Sequence, residues 1–454
     1  METETKKNTI RKQILEKWPF AVYLLIMVLI HSGYQCQYDD LALIQDTLKP
    51  TVWEEFSSVV YNFTTWSSRI LVNLPIHIML HFDYRVWLVI ELLLMVLIIW
   101  GMSYIFVTKS AAINNVVLLC LLLCFPFIYA ICAGWITTTM TYIWPVAIGV
   151  CACTSIRKYL DGKPFRWYEY IGYTLATIYA ANQEQMSIVL TLIFAGCTFV
   201  CIRRKKKSVL IFIQTGCAFA NLLFHMFTPG NENRRLIETA VRFPDYGTLS
   251  LMDKLELGFT TSMYEFVFRY NVLFLIIGLV IAVLVFCKYK NWLYRLIASV
   301  PFLSQLVFGI GCEKIIENRL HIGIFVNRIL KNGTIDESNY ERWQTYYPIV
   351  LLFAVSICLI VSLYLIFGNS DKMIFAFALV FGGLGGRMIL AFSPTVWASS
   401  YRTFTSMYFA FIALGIMLVN ELDYKALGKK KYLLAAVLIL VSGKNLVNLL
   451  LSYL

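Results

Sequence analysis

The chain has 454 residues, 59% hydrophobic and 15% charged, with a mean hydropathy of +0.68 and a formal net charge of +12. So little charge cannot cover so much apolar surface in water, which excludes a soluble protein and points to a polytopic membrane protein. The positive balance does not mark a nucleic-acid binder, because the basic residues fall in short loops between apolar runs.

Lys6, Lys7, Arg11, Lys12 and Lys17 precede the first apolar run, which lacks a small-residue cleavage site and reads as a retained helix. Spans are expected at Trp18–Tyr34, Tyr84–Val107, Val116–Ala133, Thr141–Ile156, Tyr168–Ala181, Gln185–Cys201, Ser208–Phe227, Tyr270–Cys287, Leu293–Gly311, Pro348–Phe367, Met373–Ala391, Arg402–Asn420 and Tyr432–Leu451. That makes an all-α bundle of about 13 transmembrane helices in one domain, residues 1–454. Ile70–Phe82 is apolar but short, hence interfacial or re-entrant. Asn182-Gln183-Glu184 reads as the tip of a tight hairpin.

Placing the N-terminus in the cytoplasm puts 23 of the 39 basic residues in a few short inner loops. These include Arg157-Lys158, Arg203 to Lys207, Lys288, Lys372, Lys425 and Lys429 to Lys431. That asymmetry sets topology. The outer face then receives a first loop, 35–83, with interfacial helices, and further loops at 228–269 and 312–347. Gly134 to Thr139, Asn182 to Glu184 and Ser393 to Arg402 join them. The expected location is a cytoplasmic (plasma) membrane with a site facing outward. Most of the twelve cysteines fall in or at the ends of apolar runs and act there as small hydrophobes. Only Cys36 and Cys312 lie near outer loops.

Nearly every polar cluster falls on that outer side. Asp39 and Asp40 sit just past the first span; an acidic pair there serves as a base toward a hydroxyl or as oxygen ligands to a divalent cation, Mg or Mn. Glu184 is a carboxylate at a span break, costly unless paired or lining a polar cavity. Arg234 and Arg235, after the Pro229-Gly230-Asn231 turn, lie on the side positive charge avoids and call for an anion. Arg387, Arg402 and Arg69 are further candidates for the same anion. Gly382-Gly383-Leu384-Gly385-Gly386 lacks the context of a nucleotide loop and reads as close helix packing. Trp66, Trp135, Tyr142 and Trp144 combine with four threonines in a setting suited to a sugar ring. His77 and His81 lack a third metal ligand and read as interfacial polar residues. Asn62 and Asn332 begin weak glycosylation sequons.

The order of these pieces resembles the GT-C superfamily of polytopic glycosyltransferases, and within it GtrII-like glucosyltransferases and the DUF6056 family. Tyr38-Asp39-Asp40, Trp66-Ser67-Ser68-Arg69, Thr141-Tyr142-Ile143-Trp144-Pro145, Glu184, Pro229-Gly230-Asn231 with Arg234-Arg235, and Ser393-Pro394-Thr395 with Tyr401-Arg402 carry the resemblance. It implies a GT-C-like fold with a structured first outer loop. It also implies a polyprenyl-phosphate sugar donor, and a glycan or lipid acceptor in the cell envelope. Asp39 or Asp40 is then the base or metal ligand, and outer arginines hold the carrier phosphate. A polysaccharide polymerase or ligase, and a lipid-linked glycan flippase, are the competing expectations; spans poor in deep charge count against transport.

Overall fold

The computed structural model describes residues 2–47, 51–310, 335, 340–424, 428 and 430–451. Cys312, the Asn332 sequon, most of the 312–347 loop, Lys425 and Lys429 lie outside them. Among the described residues every named element is helical, and the one β feature is an isolated bridge between Cys132 and Gly134. Eight helices there are long and apolar enough to cross a membrane, or nine if one bent pair is counted. The protein is a membrane-embedded helical bundle.

Among the described residues, several of the expected spans are shortened, broken or extended for local reasons. The run Val116–Ala133 does not continue as one helix: Ala111–Leu122 stops, and a single 3-10 turn, Phe127–Ala130, follows Pro126. Proline disfavours helical geometry in the residue before it and cannot donate a backbone bond. Trp167–Ala181 is helical for only 15 residues. The stretch expected to be a loop from Gly134 to Thr139 instead belongs to a 26-residue span, Trp135–Leu160, entered through a π turn at Thr139–Ile143. Ile70–Met79 is a ten-residue helix containing Pro75, too short to cross.

The bent pair joins Leu251–Val267 to Val272–Lys288 at 78°. Asn271 stabilises the break: its side-chain oxygen caps the second helix through Phe274 N at 2.9 Å, and its amide donates to Tyr408 Oη at 2.8 Å. Tyr408 belongs to Thr405–Val419, a helix buried along its whole length. An all-apolar helix of this kind has no solvent or lipid face and forms the bundle's axis. Against it packs Asp371–Met388, whose glycines permit backbone contact. A Cβ on Gly386 would stand 3.0 Å from Gln185 O, and one on Gly383 would stand 3.1 Å from Ala410 Cβ. The glycine stretch therefore does the packing work its composition implied.

Basic residues collect at one end of the bundle. Arg204 pairs with Asp371 at 2.6 Å, Lys372 with Glu421, and Asn114 with Asn420 at 2.9 Å. The segments carrying Asp39, Arg69, Glu184, Arg234 and Arg402 meet at the other.

Candidate functional site

The first loop is tied down by Asp40. The short helix Trp135–Thr138 begins at Gly134 with its first N–H groups unpaired, as any helix start has. Asp40, almost a hundred residues upstream, supplies the acceptor. Oδ2 takes Ile136 N–H at 3.0 Å, and Oδ1 takes Thr137 N–H at 2.8 Å and Thr137 Oγ1–H at 2.7 Å. Gly134 has φ +119°, and a Cβ there would approach Asp40 Oδ1 to 2.8 Å, so glycine is required twice over. Burial raises the Asp40 carboxyl above its ordinary value while these donors pull it down. The side chain is fully buried and holds loop to helix.

Asp39 points elsewhere. Its Oδ2 accepts from Arg402 Nη1 at 2.8 Å, and the side chain stays half exposed. The two aspartates thus diverge, one toward helix N–H groups and the other toward a guanidinium. A divalent cation bound by both carboxylates would have to displace Arg402 from Asp39 and the helix N–H groups from Asp40.

Asp39 lines a cavity of about 370 Å³ with Asn62, Trp66, Arg69, Asn73, His77, Thr137, Thr141 and Arg234. Arg69 reaches this cavity from the N-terminus of Ile70–Met79, where its Nε donates to both Glu184 oxygens at 2.9 and 2.6 Å. Burial works against the Arg69 charge, but Glu184 and the Tyr142 hydroxyl hold its guanidinium above the usual value. Glu184 sits at the start of Glu184–Arg203, a position where the helix dipole favours an anion. The hairpin tip is real: Gln183 caps that helix through Met186 N at 2.8 Å, and Asn182 Oδ1 accepts Leu71 N–H at 2.8 Å. His225 lies in the last turn of the helix Val209–Met226. It bridges Ser68 Oγ at 2.7 Å and Ala181 O at 2.9 Å, and Ser68 in turn meets Glu184.

Among the described residues Arg234 and Arg387 form no ion pair, although Glu184 and Glu238 act on Arg234, and Glu265 on Arg387, at longer range. Arg234 lies over the Trp66 ring at 5.8 Å, and its buried Nε has no hydrogen-bond partner. Burial and the neighbouring Arg69 both hold its guanidinium below the usual value. Arg387 is 4% exposed, stacked on Phe404 at 4.4 Å, and both Nε and Nη1 are without acceptors. Tyr142, buried at the centre, lies within electrostatic reach of Arg69, Arg234, Arg387 and Arg402. Four arginines thus surround Tyr142, with Glu184 and Asp39 pairing two of them, and Arg69 and Arg234 line the cavity. The surplus positive charge, with N–H groups unpaired in a buried place, is the chemistry of an anion site.

Other sequence candidates fall outside this cluster. Arg235 turns outward to Glu232 at 2.6 Å, an exposed pair on one helix face. Asn231 donates to His225 O and shapes the turn. Trp135 is fully buried, packed with His31, Tyr34 and Phe127 at ring distances of 5.8, 6.1 and 6.4 Å. Trp144 is also buried and donates its indole N–H to Glu91 Oε2 at 2.5 Å. Of the aromatic candidates, Trp66 lines the cavity.

Glu91 is a residue sequence reasoning missed. It lies inside the span Tyr84–Phe106, fully buried, with His31 Nε2 3.9 Å from its Oε1. A lone acidic letter in an apolar run was the available signal. Comparison with protein-family models, with curated proteins and with solved structures finds no match.

Proposed function

We propose that this protein is a GT-C-type glycosyltransferase that moves one sugar from a polyprenyl-phosphate donor to an acceptor hydroxyl on the outer face of the membrane. The observation that carries the reading is a set of guanidinium groups around Tyr142, among them the buried Arg387, whose Nε and Nη1 lack acceptors, and the partly buried Arg234, whose Nε lacks one. Arginine matches the shape of phosphate oxygens, and the charge is greatest on the phosphate as it leaves. A second cavity, about 210 Å³, supports a lipid-linked donor over a soluble one. Met186 and Ser406 bound it near the arginine end, Leu379 and Phe409 line it, and Lys372 and Glu421 bound it at the far end. Its apolar wall suits an isoprenoid chain lying between helices. Asp39 and Trp66, facing the first cavity, orient the sugar hydroxyls and ring.

Glu91 and His31 favour a second reading, a flippase for a lipid-linked glycan, because paired ionisable groups within spans serve proton-coupled transport. Reconstitution in proteoliposomes with radiolabelled polyprenyl-phosphate sugar separates the two. Transfer of label to an acceptor supports the enzyme. Movement of intact donor between leaflets without transfer sinks it in favour of the flippase.

A further inference from the structure

The acceptor's proton needs a destination. Asp40 is engaged by three donors, and an oxygen of Asp39 is held by Arg402. The same cavity contains a better-prepared group. Glu55, on the helix Val52–Thr65, is fully buried and accepts from His77 Nδ1 at 2.7 Å and His81 Nε2 at 3.3 Å. An ionised carboxylate only accepts, so the neutral His77 ring carries its proton on Nδ1 and presents a lone pair at Nε2. His77 lines the cavity with Arg69 and Asn73, on one face of Ile70–Met79. His77 lies two turns along the helix that Arg69 precedes, so the two side chains reach the cavity from one element.

Resting on the transfer reading above, we propose that His77 is the general base of the reaction, with Glu55 as its positioning residue. The acceptor hydroxyl gives its proton to His77 Nε2 as its oxygen bonds to the anomeric carbon. The bond from that carbon to the phosphate oxygen breaks, and its electron pair leaves with the polyprenyl phosphate, held by the arginines. His77, now imidazolium facing Glu55, returns the proton to water. Among the described residues, His81 also contacts Glu55, and Asp39, Arg69 and Arg234 are the other charged groups lining the cavity.

The test uses the full chain in nanodiscs with polyprenyl-phosphate sugar. His77→Gln is expected to lower kcat by about 10²–10⁴ with the donor KM little changed. Glu55→Gln is expected to cost less, again in kcat with the donor KM little changed, and Glu55→Asp to recover part of the loss. A His77→Gln rate within about threefold of the parent, below the loss a general base incurs, overturns the proposal while leaving the transfer reading intact. A second readout is independent of turnover: diethyl pyrocarbonate acylates neutral, accessible imidazole, read by mass spectrometry. His77 is expected to react in the free protein and to be protected by polyprenyl-phosphate sugar. Unchanged labelling with donor bound overturns the assignment, even if the parent transfers no sugar and the reading of function fails with it.

Discussion

Arg387 gives the sharpest test, because its contributions to stability and to binding carry opposite signs. The guanidinium is 4% exposed, and two of its nitrogens have no acceptor. A buried donor left unsatisfied costs about 1–3 kcal/mol, and more when charged. Stacking on Phe404 at 4.4 Å returns about 1–2 kcal/mol. Replacing Arg387 with methionine, of similar length, removes both terms and leaves a net gain of about 1 kcal/mol or more in the ligand-free protein. With phosphate bound, the same change forfeits two charge-assisted hydrogen bonds worth about 1.5–3 kcal/mol each. Affinity for polyprenyl phosphate therefore falls on the order of 100-fold or more. Thermal unfolding of the purified protein, with and without polyprenyl phosphate, reads both. Arg387→Met is expected to melt higher than the parent without ligand and to gain little when ligand is added. Arg387→Lys keeps the charge without the fork and is expected to lose affinity with no gain in stability. A ligand-free Arg387→Met that melts lower, or one that binds polyprenyl phosphate as the parent does, refutes the reasoning.

Asp40→Asn leaves a helix-start N–H facing an amide, so about 1–3 kcal/mol of stability is lost, visible as a lower melting temperature; Asp39→Asn is expected to spare stability and lower transfer. Gly134→Ala is expected to mimic Asp40→Asn, since its Cβ would press on the same carboxylate at 2.8 Å. Arg234→Ala is expected to weaken polyprenyl-phosphate binding, while Arg235→Ala, removing only an exposed pair with Glu232, is expected to change binding by less than about 0.5 kcal/mol. Gly230→Ala would drive a methyl to 2.5 Å from Trp66 N; displacing the Gly230–Arg242 helix that carries Arg234 is expected to cost about 1–3 kcal/mol and to weaken binding in the same titration.

Helix content and membrane embedding were legible because both follow from composition and run length. Breaks were harder. The apolar run Val116–Ala133 gives no hydropathy sign of stopping at Leu122, and Pro126 alone marks the change. The helix start at Trp135 was illegible for a different reason. Its cap is Asp40, so the local segment from Gly134 to Thr139 reads as loop until the distant acceptor is known. Backbone donors can be satisfied from anywhere in the chain, and sequence patterns report only the nearby cases.

The same distinction explains which site residues were found. The arginines were legible because cations near a membrane edge violate a strong bias and need an anion. Their partners were not: Arg402 meets Asp39 across 363 residues and Arg69 meets Glu184 across 115. Only these pairings show which guanidiniums are already compensated. Counting arginines alone makes Arg235 equal to Arg234; pairing makes Arg235 a surface residue and leaves Arg234 and Arg387 as the two with buried, unpaired N–H groups. His77 was passed over by the converse error. Taken with His81 it is half a metal site and carries nothing. Set against a buried carboxylate, with Nδ1 2.7 Å from Glu55, it has the setting that the proposed base needs. In an apolar bundle, function follows from the polar groups the fold leaves unpaired, and pairing is a property of the fold.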